Sequence, residues 1–340
     1  MPKRSVDHFI QAIAVALTSA TLGLAQQPST RGPLNLVAPN GIGRIIIPAP
    51  ANDVQWSGFN LYDQGARPVF ETRNPSANLI VSYVLFPNQT HSGTPNICRD
   101  DIVSAGTRSI SPTPGIADIK HVTRTDHAPI KGQPIASGSY LVESLAGADV
   151  KQQNMFIVAA SATLCAEMHI SKTAFQPTDE PQFAAQAETF TFDPDYTPTA
   201  QDYFTLGSIF FRVTKSYESA AAYYQRSLDL LPSNTDLKLR RVVTDQLAMS
   251  YGMSGQIKQS RAVNEAAIKT DPDYPLYYYN LACADAEQGN ASDAKLHLQQ
   301  AFDRKANVVS GEKLPDPTQD DSILKLKKNK EFWAFVQTLK

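Results

Sequence analysis

The sequence predicts two folded parts: an α+β part with an antiparallel sheet and helices on one face, and then an all-α part. Up to Phe192 the apolar residues form short runs rich in β-branched and aromatic types, separated by glycine and proline. From Asp193 onward the apolar residues recur every three to four positions, which is typical of amphipathic helices. A length of 340 residues is sufficient for two domains.

The first 25 residues have the pattern of a secretory signal peptide. Lys3 and Arg4 precede an apolar run, and the small residue Ala25 stands where a signal peptidase would cleave. We therefore expect a signal peptide over residues 1–25 and a flexible, proline-containing lead-in over 26–39. An uncleaved anchor is the alternative, but the run is short for a membrane span. The pattern predicts an exported protein, periplasmic or extracellular, with no integral membrane span after cleavage.

The charge composition argues against a nucleic-acid partner. The chain has 31 basic and 33 acidic residues, for a formal net charge of −2. Such a balance provides no broad basic field for phosphate groups. We expect no nucleic-acid binding.

Residues 40–192 read as the α+β domain. The runs predicted as strands are RIIIP (44–48), NLIVSYVLFP (78–87), SGSYLVES (137–144) and NMFIVAASATLCAEMHI (154–170). Two stretches, 98–110 and 181–192, are typical of helices. Strands that follow one another, with two helices to cover a face, indicate an antiparallel α+β fold. The long hairpin followed by a helix that ends in FxF resembles the PsbP-like domains of exported bacterial proteins, and this resemblance implies a fold but no functional residues.

Two cysteines of this domain are candidates for a disulfide. Export to an oxidising compartment would allow Cys98 and Cys165 to pair, whereas two reduced, buried cysteines are the alternative. Their spacing and the lack of partner histidines argue against zinc. We expect no metal and no cofactor.

Catalytic constellations are scarce in the sequence. The α+β domain has histidines and carboxylates that would form an acid–base set only if they met in one cleft: His91, His121, His127, His169, Asp100, Asp101, Asp126 and Glu167. None of them stands in a recognisable metal or triad motif. The sequence therefore predicts a protein that is not an enzyme.

After a linker over 193–199, three pairs of helices share one pattern. Small residues recur at two positions of each second helix: Ala220, Ser260 and Ala294 at the first, and Ser227, Ala267 and Ala301 at the second. A matching helix precedes each of these second helices. Ala267 and Ala301 are 34 positions apart in the sequence.

This period and pattern resemble the tetratricopeptide repeat family, in which two antiparallel helices form each unit. The helix A signature is matched by Leu206-Gly207, Leu247-Ala248 and Leu281-Ala282, the inter-helix glycine by Gly255 and Gly289, and the closing proline by Pro232 and Pro272. Two departures are notable: Thr214 replaces the first glycine after one extra residue, and Asp285 stands where an aromatic is usual. The resemblance predicts three repeats in a helical solenoid over 200–306, with capping helices over 307–340.

The resemblance also implies a peptide-binding groove lined by the first helix of each unit. The residues expected there are Phe204, Ser208, Phe211, Arg212, Asp245, Met249, Met253, Leu276, Tyr279, Cys283 and Glu287. Because the lysine and asparagine arrangement that grips a terminal carboxylate is missing, we expect a peptide with aromatic or aliphatic anchors. In the alternative, the linker or the C-terminal tail of the chain itself fills the groove.

The leading hypothesis is an exported scaffold in the cell envelope that binds a protein or peptide through this groove. The alternative is an α+β domain that binds a small molecule or an envelope polymer, with the repeats as an assembly adaptor. A deep apolar pocket between the sheet and the helix over 181–192 would favour that alternative.

Overall fold

The computed structural model describes residues 33–39, 41–49, 59–63, 67–110, 116–129 and 132–339. The predicted signal peptide and most of the lead-in lie outside these residues. The chain divides into two compact units, Met1–Pro198 and Thr199–Lys340. They are called the N-terminal unit and the C-terminal unit below.

The main sheet of the N-terminal unit has seven antiparallel strands in the order β3-β4-β5-β9-β8-β7-β6. Its strands are β3 (Phe59–Asp63), β4 (Pro68–Asn74), β5 (Leu79–Pro87), β6 (Ala117–Asp126), β7 (Ala136–Leu145), β8 (Ala148–Ala160) and β9 (Leu164–Lys172). Strands adjacent in sequence are also neighbours in the sheet, except that β5 pairs with β9. The predicted antiparallel α+β class is confirmed.

A second, three-stranded antiparallel sheet joins the two ends of the domain. Its strands are β1 (Leu34–Val37), β2 (Arg44–Ile47) and β10 (Phe192–Asp193). Ile45 pairs with Phe192 in the register between β2 and β10, and both side chains are buried. The FxF that follows the last helix of the domain thus supplies a strand.

The two α-helices described in this unit cover opposite faces of the main sheet. Helix α1 (Pro95–Ile110) is bonded through Cys98 to Cys165 of β9. Helix α2 (Glu180–Ala187) lies instead on the face of Tyr83, the partner of Met168, because Tyr83 hydrogen-bonds to side chains at the end of α2. Side chains at positions 165 and 168 of one strand point to opposite faces. The expectation of helices on one face is therefore wrong. Most side chains of β9 are buried on both sides of the sheet, so the sequence of this strand does not indicate which helix covers which face.

The disulfide fixes α1 to the centre of the sheet. Cys98 and Cys165 are bonded, with their Cα atoms 6.1 Å apart. Both lie in a core cluster with Val103, Tyr140 and Phe156. The bond joins residues separated by 67 positions in the sequence.

The C-terminal unit is helical throughout its regular structure. Its described helices are α3 (Ala200–Ile209), α4 (Tyr217–Leu230), α5 (Leu237–Met253), α6 (Ile257–Thr270), α7 (Pro275–Glu287), α8 (Ala291–Asp303), α9 (Asp321–Leu324) and α10 (Lys330–Val336). From α3 to α8 each helix packs on the next, and α9 packs on α7.

The first helix pair is antiparallel and closely packed. Ser227, near the end of α4, donates a hydrogen bond to the Ala200 carbonyl at the start of α3, at 2.8 Å. At the other end the rings of Phe211 and Tyr217 meet with centroids 5.3 Å apart. Ala220 and Ser227, two of the recurring small residues, have no exposed surface. Small side chains at these positions allow the helices to approach closely.

The extra residue of the first pair is accommodated in a π-helical turn over Phe210–Thr214. Lys215 follows with a φ of 54°, at the place where Gly255 and Gly289 have φ values of 78° and 77°. The equivalent of the family glycine is therefore Lys215, one position beyond Thr214. One inserted residue widens a helical turn from i→i+4 to i→i+5 hydrogen bonding and shifts the residues after it by one place.

Candidate functional site

A tyrosine of α4 links α3 to α5 by hydrogen bonds. The Tyr224 hydroxyl is 3.1 Å from Ser208 Oγ on α3 and 3.5 Å from Gln246 Oε1 on α5. Phe211 and Met249 each follow these positions by three residues, just under one helical turn. The predicted groove positions of the first two pairs are thus brought to neighbouring helices.

Six of the predicted residues in this part of the chain retain exposed surface. Ser208 bonds to Tyr224, and we call the other five the open face: Phe204, Phe211, Arg212, Met249 and Met253. Phe204 and Phe211 are half-buried, and their ring centroids lie 5.7 and 6.5 Å from that of Tyr224. Met249 is half-buried and Met253 is 57% exposed. The exposed Arg212 lies in the π-helical turn next to Phe211. The open face therefore combines four apolar side chains with one guanidinium.

Asp245 is not part of the open face. Its carboxylate is buried and accepts a hydrogen bond from Asn280 Nδ2 of α7, at 2.8 Å. Burial raises the pKa of Asp245 to about 7, although the Asn280 hydrogen bond acts in the opposite direction. The side chain at this position joins α5 to α7 and does not face a ligand.

The predicted groove residues of the third pair are covered by the C-terminal segment of the chain. Tyr279 is buried and its hydroxyl donates to Asp320 Oδ2 at 3.3 Å. Glu287 accepts hydrogen bonds from Ser322 Oγ, at 2.7 Å, and from Lys325 Nζ. Cys283, half-buried, directs its Sγ at the Asp320 carboxylate, which together with burial raises the pKa of the thiol.

Apolar packing holds the same segment in place. Ile323 of α9 has no exposed surface and belongs to one core cluster with Tyr279, Leu276 and Phe332. A chain that fills its own groove was one of the alternatives, and the third helix pair has this arrangement. Among the described residues, the open face of the first two pairs forms no hydrogen bond or ring contact with α9 or α10.

A buried ionic cluster behind the third pair was not found from the sequence. Asp285 of α7 has no exposed surface and accepts hydrogen bonds from Arg261 of α6 and His297 of α8. Burial and the nearby Arg261 guanidinium lower the pKa of His297. The signal was present, because Asp285 replaces an aromatic residue of the family pattern. Its two partners could not be identified without the helix packing.

Several histidines and carboxylates of the N-terminal unit pair with other groups of the protein and not with one another. His91 Nδ1 is 3.1 Å from the Ala162 carbonyl, and His127 Nε2 is 2.6 Å from Ser137 Oγ. Asp100 and Asp126 both pair with Arg99 of α1. They form hydrogen bonds and ion pairs at different places in the domain.

His169 and Glu167 share a face of β9 but do not form a hydrogen-bonded pair. His169 Nε2 is 3.0 Å from Asn154 Oδ1, and its ring stacks on Phe156 with centroids 4.4 Å apart. Burial lowers the pKa of His169 to about 4 and raises that of Glu167 to about 7. His169 is therefore uncharged near neutral pH and serves as part of the packed face, whereas Glu167 is partly protonated there.

A cavity of about 510 Å³ opens in the N-terminal unit beside the end of α2. Three segments and Ile46 form its wall. The lining residues are Ile46, Gly132, Gln133, Pro134, Ile135, Ile157, Ala160, Ala187, Phe190, Thr191, Phe192, Asp193 and Pro194. Most are apolar, so the cavity is of the kind that the small-molecule alternative requires.

Neither a metal-ligand group nor a membrane-spanning helix is found among the described residues. No group of three or more histidine, cysteine, aspartate or glutamate side chains in this part of the chain is arranged to hold a metal ion. Among the same residues, no helix has the length and apolar character needed to cross a bilayer.

No family model matches the chain, and no curated protein matches it. Several solved structures are similar to it. The Sgt2 TPR domain from Aspergillus fumigatus is 20% identical, with a TM-score of 0.31, over 42% of this chain and 83% of that chain. The first TPR of Spaghetti (RPAP3), solved with the HSP90 peptide SRMEEVD, is 16% identical, with a TM-score of 0.30, over 40% and 94%.

A solved structure of another kind is also similar to this chain. Cyanobacterial PsbP (CyanoP) from Synechocystis sp. PCC 6803 is 13% identical, with a TM-score of 0.33, over 52% of this chain and 98% of that chain. Tetratricopeptide repeat domains and a PsbP protein are thus both among the structures similar to this chain. These are the two families that the sequence motifs suggested.

Proposed function

We propose that the protein is an exported scaffold that binds a protein partner through the open face. The observation that carries this proposal is the exposure of Met253 and the half-exposure of Phe204, Phe211 and Met249 on two neighbouring helices. Clustered apolar side chains that remain open in a folded chain are typical of an interaction surface, and Tyr224 links the two helices that carry these four. The equivalent surface of the third pair is already covered by α9.

The three helix pairs form a short solenoid in this proposal. Each pair alone would leave an apolar face in water, and stacking of neighbouring pairs buries it. Close packing from α3 to α8, the contact of α5 with α7, and the cover over α7 are the supporting observations. The C-terminal segment would then act as the cap of the last pair.

The composition of the open face favours a peptide with two kinds of contact. Phenylalanine and methionine side chains adapt to aliphatic or aromatic anchors, and methionine adapts to several shapes. Arg212 is exposed and forms no ion pair among the residues that the structure describes. An acidic side chain of the peptide would pair with it at the rim.

Export is supported by two features. Residues 1–25 have the charge and apolar pattern of a signal peptide. The disulfide between Cys98 and Cys165 is of the kind that persists in an oxidising compartment. In the native host we expect the mature chain in an extracytoplasmic fraction, with its N-terminus near residue 26. A full-length cytosolic chain would contradict export.

Selection of peptides on the full chain tests the open face. A random-peptide phage library selected on the wild type should yield a consensus with apolar anchors and an acidic residue. The double variant Phe211→Asp, Met249→Asp should lose those peptides. Leu230→Asp and Leu296→Asp are matched controls, since both leucines are exposed helix residues outside the open face.

The controls decide the interpretation. Peptides retained by both control variants and lost by the double variant support the proposal. Peptides bound equally by all variants, or no consensus at all, would overturn it. Far-UV circular dichroism checks that each variant keeps its helices.

A further inference from the structure

The cavity beside the end of α2 has features that the peptide-binding proposal does not use. Its volume of about 510 Å³ lies within the range of about 300–1,000 Å³ that is typical of small-molecule sites. It belongs entirely to the N-terminal unit. Its occupant would therefore not be the peptide of the C-terminal unit.

The interior of the cavity is built from well-packed apolar side chains. Ile135, Ile157, Phe190 and Phe192 each line it and are at most 5% exposed. They come from three parts of the chain, namely the approach to β7, the middle of β8, and the segment from α2 to β10. Because the surrounding core fixes these side chains, the shape of the cavity is largely preformed.

The charge at the rim is already neutralised by the protein. Asp193 lines the cavity, and its Oδ2 accepts a hydrogen bond from Arg44 at 3.2 Å. The Arg44 guanidinium also donates a hydrogen bond to Asn35 Oδ1 and lies 3.7 Å from the ring centroid of Tyr196. Among the described lining residues Asp193 is the charged one, and it is paired with Arg44. These residues therefore offer a charged ligand no unpaired countercharge, and an unpaired charge among apolar groups is costly.

Hydrogen-bonding groups remain at the rim for a neutral ligand. Asp193 Oδ1 does not take part in the pair with Arg44, and the half-buried Gln133 contributes an amide. We infer that the cavity binds a neutral small molecule with a ring-sized apolar body and one N–H or O–H donor. The apolar body enters between Ile157 and Phe190, and the donor meets the polar groups at the rim.

N-phenyl-1-naphthylamine is a suitable probe, because it is neutral, has two apolar ring systems and carries one N–H group. Its fluorescence rises in an apolar site. The full-length protein should give a saturable rise. Ala187→Leu and Ala160→Leu, which place extra side chain in the cavity wall, should each weaken the binding at least tenfold.

Ala185→Leu is the matched control, since Ala185 is exposed on α2 and does not line the cavity. It should stay within twofold of the wild type, as should Met253→Asp on the open face. No saturable binding to the wild type, or full binding to both cavity variants, would overturn the inference. Loss of binding in Met253→Asp would place the probe on the open face and would also overturn it.

An experiment on the unmodified chain removes any dependence on variant folding. In a methyl NMR spectrum the probe should shift the Ile46, Ile135 and Ile157 methyl signals. The Ile323 methyl signal, which comes from the core of the C-terminal unit, should not move. Movement of Ile323 without movement of the three cavity isoleucines would contradict the site.

Discussion

Asp285 and His297 are joined across α7 and α8, with His297 Nδ1 only 2.6 Å from the Oδ2 atom of a carboxylate that has no exposed surface. The neutral imidazole can donate its Nδ1–H in this geometry, and Arg261 supplies the balancing positive charge. Asp285 stands where the tetratricopeptide repeat pattern usually has an aromatic residue. Its carboxylate links α6, α7 and α8 through hydrogen bonds.

Asp285→Ala should destabilise the C-terminal unit by about 2–4 kcal/mol, because it leaves Arg261 and His297 without their buried acceptor. The midpoint of thermal unfolding, followed by circular dichroism at 222 nm, measures the loss. Glu265→Ala is the control, since Glu265 is an exposed partner of the same arginine and should change stability by less than about 0.5 kcal/mol. Equal effects of the two changes would argue that the buried cluster contributes nothing specific.

Asp245→Asn should stabilise the C-terminal unit at pH 8 and have little effect at pH 4. The folded-state pKa of Asp245 is raised to about 7, so the native state favours the protonated acid. This contribution is present below the unfolded pKa, near 3.8, and is lost as the pH rises to about 7. Asparagine resembles the protonated form and can still accept the hydrogen bond from Asn280.

The expected gain at pH 8 is roughly 1–3 kcal/mol. Unfolding in urea at several pH values, compared between wild type and variant, gives the profile. A gain that does not depend on pH would show that the carboxylate is not the cause.

Lys215→Gly should stabilise the first helix pair by about 1 kcal/mol. Lys215 adopts a left-handed φ of 54°, which costs an L-residue about 1–2 kcal/mol and glycine very little, although glycine loses more backbone entropy on folding. The reciprocal change, Gly255→Ala, should destabilise by a similar amount. An added Cβ at Gly255 meets no atom within 4 Å, so its cost is conformational and not steric. A lower unfolding midpoint for Lys215→Gly would refute the assignment of this position.

Removing the disulfide should weaken the N-terminal unit. Cys98→Ala, Cys165→Ala should lower its unfolding free energy by about 2–4 kcal/mol, since a cross-link over 67 positions restricts the unfolded chain. Limited proteolysis over β5 and β9 reports on this unit separately from the helices. Unchanged protease resistance in this double variant would show that α1 is held on the sheet by packing alone.

Local patterns predicted much of the fold, while long-range partners were harder to infer. The strands and the three helix pairs follow from apolar periodicity and from the recurring small residues, of which Ala220, Ser227 and Ala301 are fully buried. The opposite placement of α1 and α2 was missed, because β9 is largely buried on both faces and its pattern does not show which helix covers which face. The extra residue of the first pair was recognised, but the glycine position was assigned to Thr214 instead of Lys215, because the sequence does not show that the insertion widens the helical turn.

The candidate site shows the same division. Family spacing identified Phe211, Met249 and Met253, which remain open in the structure. It also identified Asp245, Tyr279 and Glu287, but these side chains form hydrogen bonds with Asn280, Asp320 and Lys325, respectively. Those partners are 35 to 41 positions away in sequence, so helix periodicity alone does not reveal them.

The most direct test of the central claim is a calorimetric titration of the full chain with the consensus peptide from the phage selection, repeated with Met253→Asp. Met253 is exposed enough that the substitution should leave the fold intact. A loss of affinity of at least tenfold, with unchanged helicity and with Leu296→Asp binding as the wild type does, is the predicted result. Equal affinity of Met253→Asp and wild type would contradict the assignment of the open face as the binding surface.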